Sequence, residues 1–214
     1  MNKLNLNLHK MGFYFVTDCN LSKIGVEEDV KAVIKAGVKI VQYREKNKSS
    51  REMFKEALIL KKICNNKTLL IINDRIDIAL AVDADGVHLG QDDIPCQEAR
   101  VLMGKDAIIG VTVHNIKEAV EAEKCGADYV GASPIFTTFT KKDAGEQAGL
   151  QLIKDLKSQI KTPIVAIGGI DLKNGLSVME AGADSFCAIS AVISEGKTFE
   201  ESKKFVQLVN RFTC

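Results

Sequence analysis

One alternation constrains this chain more than anything else in it. A short apolar run rich in β-branched residues, a polar tip and an amphipathic run follow one another eight times. The apolar runs span 13–17, 38–43, 68–72, 86–89, 107–111, 129–132, 163–167 and 185–189. The amphipathic runs span 27–36, 50–64, 76–82, 96–103, 116–125, 147–159, 172–181 and 199–212. Neighbouring parallel strands need a crossover of helix length, so strands alternating with helices predict a parallel sheet covered by helices. An open doubly wound sheet is the alternative. Eight consecutive units without a rearranged order favour closure, giving an α/β fold, a (β/α)8 TIM barrel. Gly37, Gly126 and Gly182 each stand just after a helical run, where a left-handed cap is needed before the next strand.

No Pro/Ser-rich linker or composition shift divides the 214 residues, so the expectation is one barrel domain over 1–214, with 1–12 as a short N-terminal extension. That extension alternates Leu with Asn and lacks the apolar core of a secretion signal. No apolar run approaches the ~20 residues of a membrane helix. With 29 basic against 28 acidic residues, no charge excess points to nucleic acid or an anionic membrane. The six cysteines form no CxxC pair and the three histidines do not cluster with them, so free thiols in a reducing cytoplasm are expected, not a zinc site. Small molecules are the expected partners, and homo-oligomerisation is left open.

In barrels of this type chemistry gathers at the C-terminal ends of the strands. Here those tips carry Thr17 and Asp18; Gln42, Arg44 and Lys46; Asn73 and Asp74; Gln91 and Asp93; Thr112 and His114; Ser133, Thr138, Thr140 and Lys141; Gly168 and Gly169; and Ser190. Residues 71–93 read as strand, short helix, strand, which places Asp74 and Asp93 on neighbouring tips. Two carboxylates a strand spacing apart can share one hard cation such as Mg²⁺. Taken singly, Asp74 reads as a cap for the following helix and Asp93 as a turn residue.

Arg44 and Lys46 alternate around Glu45, and a period of two sends both to one side. Arg grips phosphate oxygens in a bidentate way and Lys adds a point charge; as a pair they read equally well as a surface ion cluster. With Lys141 they make three cations opposite two carboxylates, a set that a metal diphosphate explains in both signs. Gly168-Gly169 and Ile189-Ser190 follow the seventh and eighth strands, where barrels bind phosphate through backbone N–H groups; a tight turn that simply needs Gly is the alternative. His88 lies mid-strand and reads as a satisfied interior side chain, and no Ser or Cys pairs with His114 as a nucleophile. The long irregular segment 133–149 reads as an active-site lid.

These residues together resemble thiamine-phosphate synthases. The resemblance rests on Y-F-V-T-D at 14–18, V-Q-Y-R-E-K at 41–46, I-N-D-R at 72–75, D-G-V-H-L-G-Q-D-D at 85–93, G-V-T-V-H-N at 110–115, T-x-T-K at 138–141 and A-I-G-G-I at 166–170. It implies a (β/α)8 barrel that joins hydroxymethylpyrimidine diphosphate to a thiazole phosphate and releases diphosphate. It further implies Mg²⁺ on Asp74 and Asp93, and the diphosphate on Arg44, Lys46, Asn73 and Lys141. Arg44, Lys46 and Lys141 are then the catalytic cations. The pyrimidine falls to Gln42 and Thr112, the lid phosphate contacts to Thr138 and Thr140, and the thiazole phosphate to Gly169 and Ser190. Three positions depart from the family pattern: Thr112 stands where Ser is usual, Ser133 where Gly is usual and Thr137 where Pro is usual. Other readings are a thiazole tautomerase, which does not need the metal pair, a sugar-phosphate isomerase or lyase, and a non-catalytic sensor of thiamine precursors.

Overall fold

The structure is a computed structural model that describes residues 7–65, 67–138, 140 and 146–213. Its eight strands are β1 (Tyr14–Val16), β2 (Ile40–Tyr43), β3 (Leu69–Asn73), β4 (Gly86–Leu89), β5 (Ile108–Val113), β6 (Tyr129–Ala132), β7 (Ile164–Ile167) and β8 (Ser185–Cys187). All pair in parallel and in sequence order, and β1 meets β8 to close the barrel. The helices are α1 (Val26–Lys35), α2 (Ser50–Cys64), α3 (Ile76–Ala81), α4 (Cys96–Met103), α5 (Ile116–Lys124), α6 (Gly149–Gln159), α7 (Gly175–Glu180), α8 (Ser190–Ile193) and α9 (Thr198–Thr213). The eightfold alternation thus yields the expected closed barrel, and most of its boundaries fall within one or two residues.

Three differences have physical causes. β5 runs on to Val113 because Thr112 and Val113 still pair with Gly131 and Ala132 of β6. β8 stops at Cys187 because Ile189 turns into the helical region as the N-cap of α8. α7 starts at Gly175 because Asp171 and Asn174 tie up the turn before it. The Asp171 carboxylate accepts from the amides of Lys173 and Asn174, and Asn174 accepts from the amide of Asp171. Side chains that satisfy nearby backbone in this way hold a turn against helix formation.

Strand alternation sorts the core into two layers. Met11, Tyr14, Val16, Ile40, Leu69, Ile71, Tyr129, Val165 and Cys187 fill the barrel interior. The other phase, including Phe15, Val41, Leu70, Ile72, Val87, Ile109, Val130 and Ala166, packs against the helices. Each such Leu, Ile or Phe contributes roughly 1.5–3 kcal/mol by leaving water. The described part of the N-terminal extension belongs to this packing: Met11 is fully buried in the interior cluster with Tyr14, and Leu8 packs against that cluster. The β1–β8 seam has a single paired register, Tyr14 with Cys187. An aromatic cluster reinforces it, with Phe13 stacked on Phe205 of α9 at 5.0 Å and edge-on to Phe186 at 5.7 Å.

The N-terminal end of the barrel carries one device three times. Asp85, Asp128 and Asp184 precede β4, β6 and β8, each after an Ala. Each accepts a backbone amide from the preceding strand: Leu70 at 2.8 Å, Ile109 at 2.7 Å and Ile164 at 2.9 Å. Each also takes a cation from a helix: Lys61 of α2 at 3.0 Å, Arg100 of α4 at 2.6 Å and Lys157 of α6 at 3.0 Å. Helix, strand and turn are thereby clamped together in every second unit.

Candidate active site

The opposite end opens into a cavity of about 280 Å³. Its wall includes Gln42, Arg44, Lys46, Asn73, Asp74, Asp93, Thr112, Thr138, Thr140, Gly169 and Ser190, eleven of the twelve residues expected at the site. The twelfth, Lys141, lies outside the described residues, as does the tip of the 133–149 segment. The first described end of that segment is anchored on β7 and the turn after it, and the second end on the first. The amides of Ile135 and Phe136 donate to the carbonyls of Ile167 and Gly168, and Ala148 and Gly149 donate back to Pro134 and Ile135.

One wall is built from charged side chains. β2 ends at Tyr43, and the two-residue alternation persists beyond it, so Arg44 and Lys46 both reach the cavity while Glu45 turns away and is buried near Lys48. Arg44 Nη1 lies 3.5 Å from Asp18, whose other oxygen accepts from the amides of Asn20 and Leu21. Asp18 thus fixes the guanidinium, a role its strand-tip position alone did not reveal. Lys46 Nζ donates to Asp74 at 2.5 Å.

Asp74 does not cap α3: Arg75 holds the N-cap position, and no side chain caps that end. Asp74 instead takes a left-handed conformation, φ +60°, while its amide donates to the carbonyl of His88 on β4. Its carboxylate is thereby swung toward Asp93, which accepts from the Gly90 amide at 2.7 Å. Burial pushes the Asp93 carboxyl above the usual carboxylate range; the Gly90 amide opposes this and the adjacent Asp74 carboxyl adds to it. Among the described residues no group of three or more His, Cys, Asp or Glu side chains is placed to hold a metal ion. Among the described residues, Asp74 and Asp93 are brought together here as a carboxylate pair.

The facing wall is built from backbone. Gly168 and Gly169 have φ of +104° and +61°. A Cβ on Gly168 would stand 2.8 Å from Pro134 Cβ, and one on Gly169 2.8 Å from Phe136 Cβ and against the carbonyl of Thr137. Glycine is thus required twice over, for the turn and for the start of the 133–149 segment laid across it. Between the walls, Val16, Ile167, Cys187 and Ile189 form an apolar floor. Sequence reading missed this floor, although Ile167 and Cys187 share the inward phase of Val165 and Ser185.

A family model described as thiamine monophosphate synthase matches residues 13–192. The chain belongs to the thiamine monophosphate synthase family. As a member it is an enzyme of the transferase class. It is 54% identical over 205 residues to the thiamine-phosphate synthase of Methanosarcina mazei, covering 96% of this chain and 85% of that protein. Against the thiamine-phosphate synthase of Methanosarcina barkeri the identity is 53% over 204 residues, covering 95% and 93%. The solved thiamine phosphate pyrophosphorylase of Pyrococcus furiosus superposes with a TM-score of 0.88 at 35% identity, covering 96% of this chain and 98% of that one. The family match spans every described strand-tip residue of the cavity.

Proposed function

We propose that this protein joins hydroxymethylpyrimidine diphosphate to hydroxyethylthiazole phosphate, or its carboxylated form, giving thiamine phosphate and diphosphate. The observation that carries the reading is the pairing of walls in one cavity. A charged wall of two carboxylates and two cations suits a metal diphosphate, and a glycine-built wall opposite suits a second, simple phosphate.

Asp74 and Asp93 would hold Mg²⁺, a hard cation that takes carboxylate oxygens, and their adjacency fits that role. When bound there, Mg²⁺ supplies neutralisation of the departing diphosphate charge. Arg44, Lys46 and Asn73, with Lys141 by its place in the sequence, hold the remaining diphosphate oxygens; Thr138 and Thr140 add hydroxyls from the lid. Gln42 and Thr112 orient the pyrimidine. Gly169 and Ser190 hold the thiazole phosphate and so bring the thiazole nitrogen up behind the reacting carbon. The carbon–oxygen bond breaks first, its electrons leaving with diphosphate, and the ring amino group stabilises the resulting pyrimidinylmethyl cation. The free lone pair of the thiazole nitrogen then closes the carbon–nitrogen bond, so no general base is needed on it. The apolar floor, with Val16 and Cys187 buried and Ile167 and Ile189 half-buried, limits water around that cation.

The reading takes residues 1–214 as one barrel domain with 1–12 as an extension, acting in the cytoplasm on small molecules. The free thiols of Cys19, Cys64, Cys96, Cys125 and Cys187 are consistent with a reducing compartment.

A phosphate-release assay with added pyrophosphatase tests the function. Phosphate should appear only when both substrates and Mg²⁺ are present. Release from the pyrimidine diphosphate alone, or none with both substrates, contradicts the proposal. In the same assay an electron-withdrawing group on the pyrimidine should slow the single-turnover step severely; faster reaction points to direct displacement.

A further inference from the structure

Beneath the cavity, a chain of hydrogen bonds crosses the barrel interior. Gln42 Nε2 donates to the Tyr14 hydroxyl at 3.0 Å, and the Tyr14 and Tyr129 hydroxyls are 2.7 Å apart. The Tyr129 hydroxyl is 3.0 Å from His88 Nδ1, and His88 Nε2 is 2.8 Å from Thr112 Oγ1. All five residues are buried, and the His88 and Tyr129 rings stack at 5.5 Å. The chain links β2, β1, β6, β4 and β5, so it joins three cavity-lining residues, Gln42, His88 and Thr112, that are remote in sequence.

Two glycines make room for it. A Cβ on Gly110 of β5 would collide with the Tyr129 ring and hydroxyl. A Cβ on Gly131 of β6 would stand 3.0 Å from His88 Cε1. These interior positions are kept small so that a phenol and an imidazole can reach across neighbouring strands.

The end of the chain at Gln42 sets its direction. An amide nitrogen only donates, so the Tyr14 oxygen accepts and its own proton passes to Tyr129. Tyr129 in turn gives its proton to His88 Nδ1. The imidazole is then neutral with its proton on Nε2, which donates to Thr112 Oγ1. Burial raises the titration of both phenols far above the usual tyrosine range, so both protons stay in place. At the two ends, the Gln42 carbonyl is turned away from Tyr14 and the Thr112 hydroxyl proton is released toward the cavity.

We infer that Tyr14, Tyr129 and His88 are positioning residues that set Gln42 as an acceptor and Thr112 as a donor toward the bound ring. This rests on the proposed placement of the pyrimidine against Gln42 and Thr112. An aminopyrimidine edge offers the complementary pair, an amino N–H donor beside a ring-nitrogen acceptor. An oxopyrimidine edge presents a carbonyl and a ring N–H, reversed at both positions. The relay therefore favours amino over oxo rings: an oxo group facing the Gln42 carbonyl sets acceptor against acceptor, and a ring N–H at Thr112 turns the hydroxyl proton away from the ring. A hydroxyl at residue 112 is all the relay requires there, which accounts for Thr serving in place of Ser.

¹⁵N NMR of the ligand-free protein reads the His88 tautomer directly. The expected result is a neutral ring protonated at Nε2; protonation at Nδ1, or at both nitrogens, overturns the relay. Tyr129→Phe keeps the stacked ring but removes the link. It should raise KM for the pyrimidine diphosphate roughly fivefold to tenfold, the worth of one neutral hydrogen bond, and leave KM for the thiazole phosphate unchanged. Tyr14→Phe should raise the same KM while leaving the His88 proton on Nε2, because Tyr129 still donates to Nδ1. Equal rises in both KM values, a purely structural effect, also overturn the inference. Calorimetry should show the oxo analogue of the pyrimidine diphosphate binding roughly a hundredfold more weakly than the amino compound; equal affinity contradicts it. A wild-type protein that fails to condense the substrates refutes the proposed function, while the tautomer measurement still judges the relay.

Discussion

The two ends of the barrel use the same residue types to opposite effect. At the N-terminal end Asp85, Asp128 and Asp184 each accept a strand amide and a helix-borne cation, so their charges are matched within the protein. At the C-terminal end Asp74 and Asp93 crowd each other, and burial works against ionisation of Asp93. Arg44 and Lys46 line the open cavity there. Charge at the first end is settled on folding; at the second, Lys46 pairs with Asp74 and Arg44 with Asp18 on the open cavity, and we propose that bound ligands exchange with these pairs. Acidic residues at one end should therefore cost stability when removed, and at the other, turnover.

The largest expected effect is at Asp93. Asp93→Asn keeps a carbonyl oxygen for the Gly90 amide but removes one of the two charges of the proposed metal site. Turnover in the coupled assay should fall at least ~100-fold, as first-contact ligands matter more than the outer partners that cost 10–100-fold. The sign of the stability change is opposite. A carboxyl whose folded pKa is raised contributes stability below its unfolded pKa and loses it as pH rises through the folded value. Metal-free wild type should therefore be less stable at pH 7 than Asp93→Asn, and the difference should vanish under acid conditions. A thermal melt in chelator at both pH values checks this; a variant less stable than wild type at pH 7 breaks the comparison.

Gly169→Ala comes next. It forces a side chain into a left-handed turn and against Phe136 and Thr137, at a cost of roughly 1–3 kcal/mol. A lower melting temperature should come with a raised KM for the thiazole phosphate. A raised KM for the pyrimidine diphosphate alone would mean that the glycine wall serves the other substrate. The smallest effect on activity is expected at the far end. Asp85→Ala removes the partner of Lys61 and of the Leu70 amide, costing about 1–3 kcal/mol of unfolding free energy in urea. Its kcat should stay within about twofold, since no clamp residue touches the cavity; a large loss of kcat there would show the two ends are coupled.

Much of this arrangement is legible in the sequence. Eight apolar, β-branched runs alternating with amphipathic runs, with glycines closing three of the helices, predict the barrel, and the barrel rule then collects Gln42, Arg44, Lys46, Asn73, Asp74, Asp93 and Ser190 on one face. What stays hidden depends on backbone conformation or on distance across the barrel. The left-handed turn at Asp74 decides that it faces Asp93 instead of capping α3, and Asp permits that conformation without announcing it. The extra pairing of Thr112 with Gly131 puts it on the strand instead of beyond it. His88 reads correctly as a satisfied interior residue, yet its partners Tyr129 and Thr112 lie 41 and 24 residues away and come together only on closure. The repeated Ala-Asp before β4, β6 and β8 is visible, but the helix cations that complete each clamp are not.

We propose that the carboxylates of the open end are held for a metal diphosphate while the glycine wall binds its phosphate without one. Calorimetric titration of an unreactive pyrimidine diphosphate analogue and of the thiazole phosphate, each with Mg²⁺ and with chelator, tests it most directly. Mg²⁺ should strengthen binding of the analogue at least ~10-fold, about 1.4 kcal/mol, and leave the thiazole phosphate unchanged. Equal strengthening of both ligands, or of neither, would contradict the account.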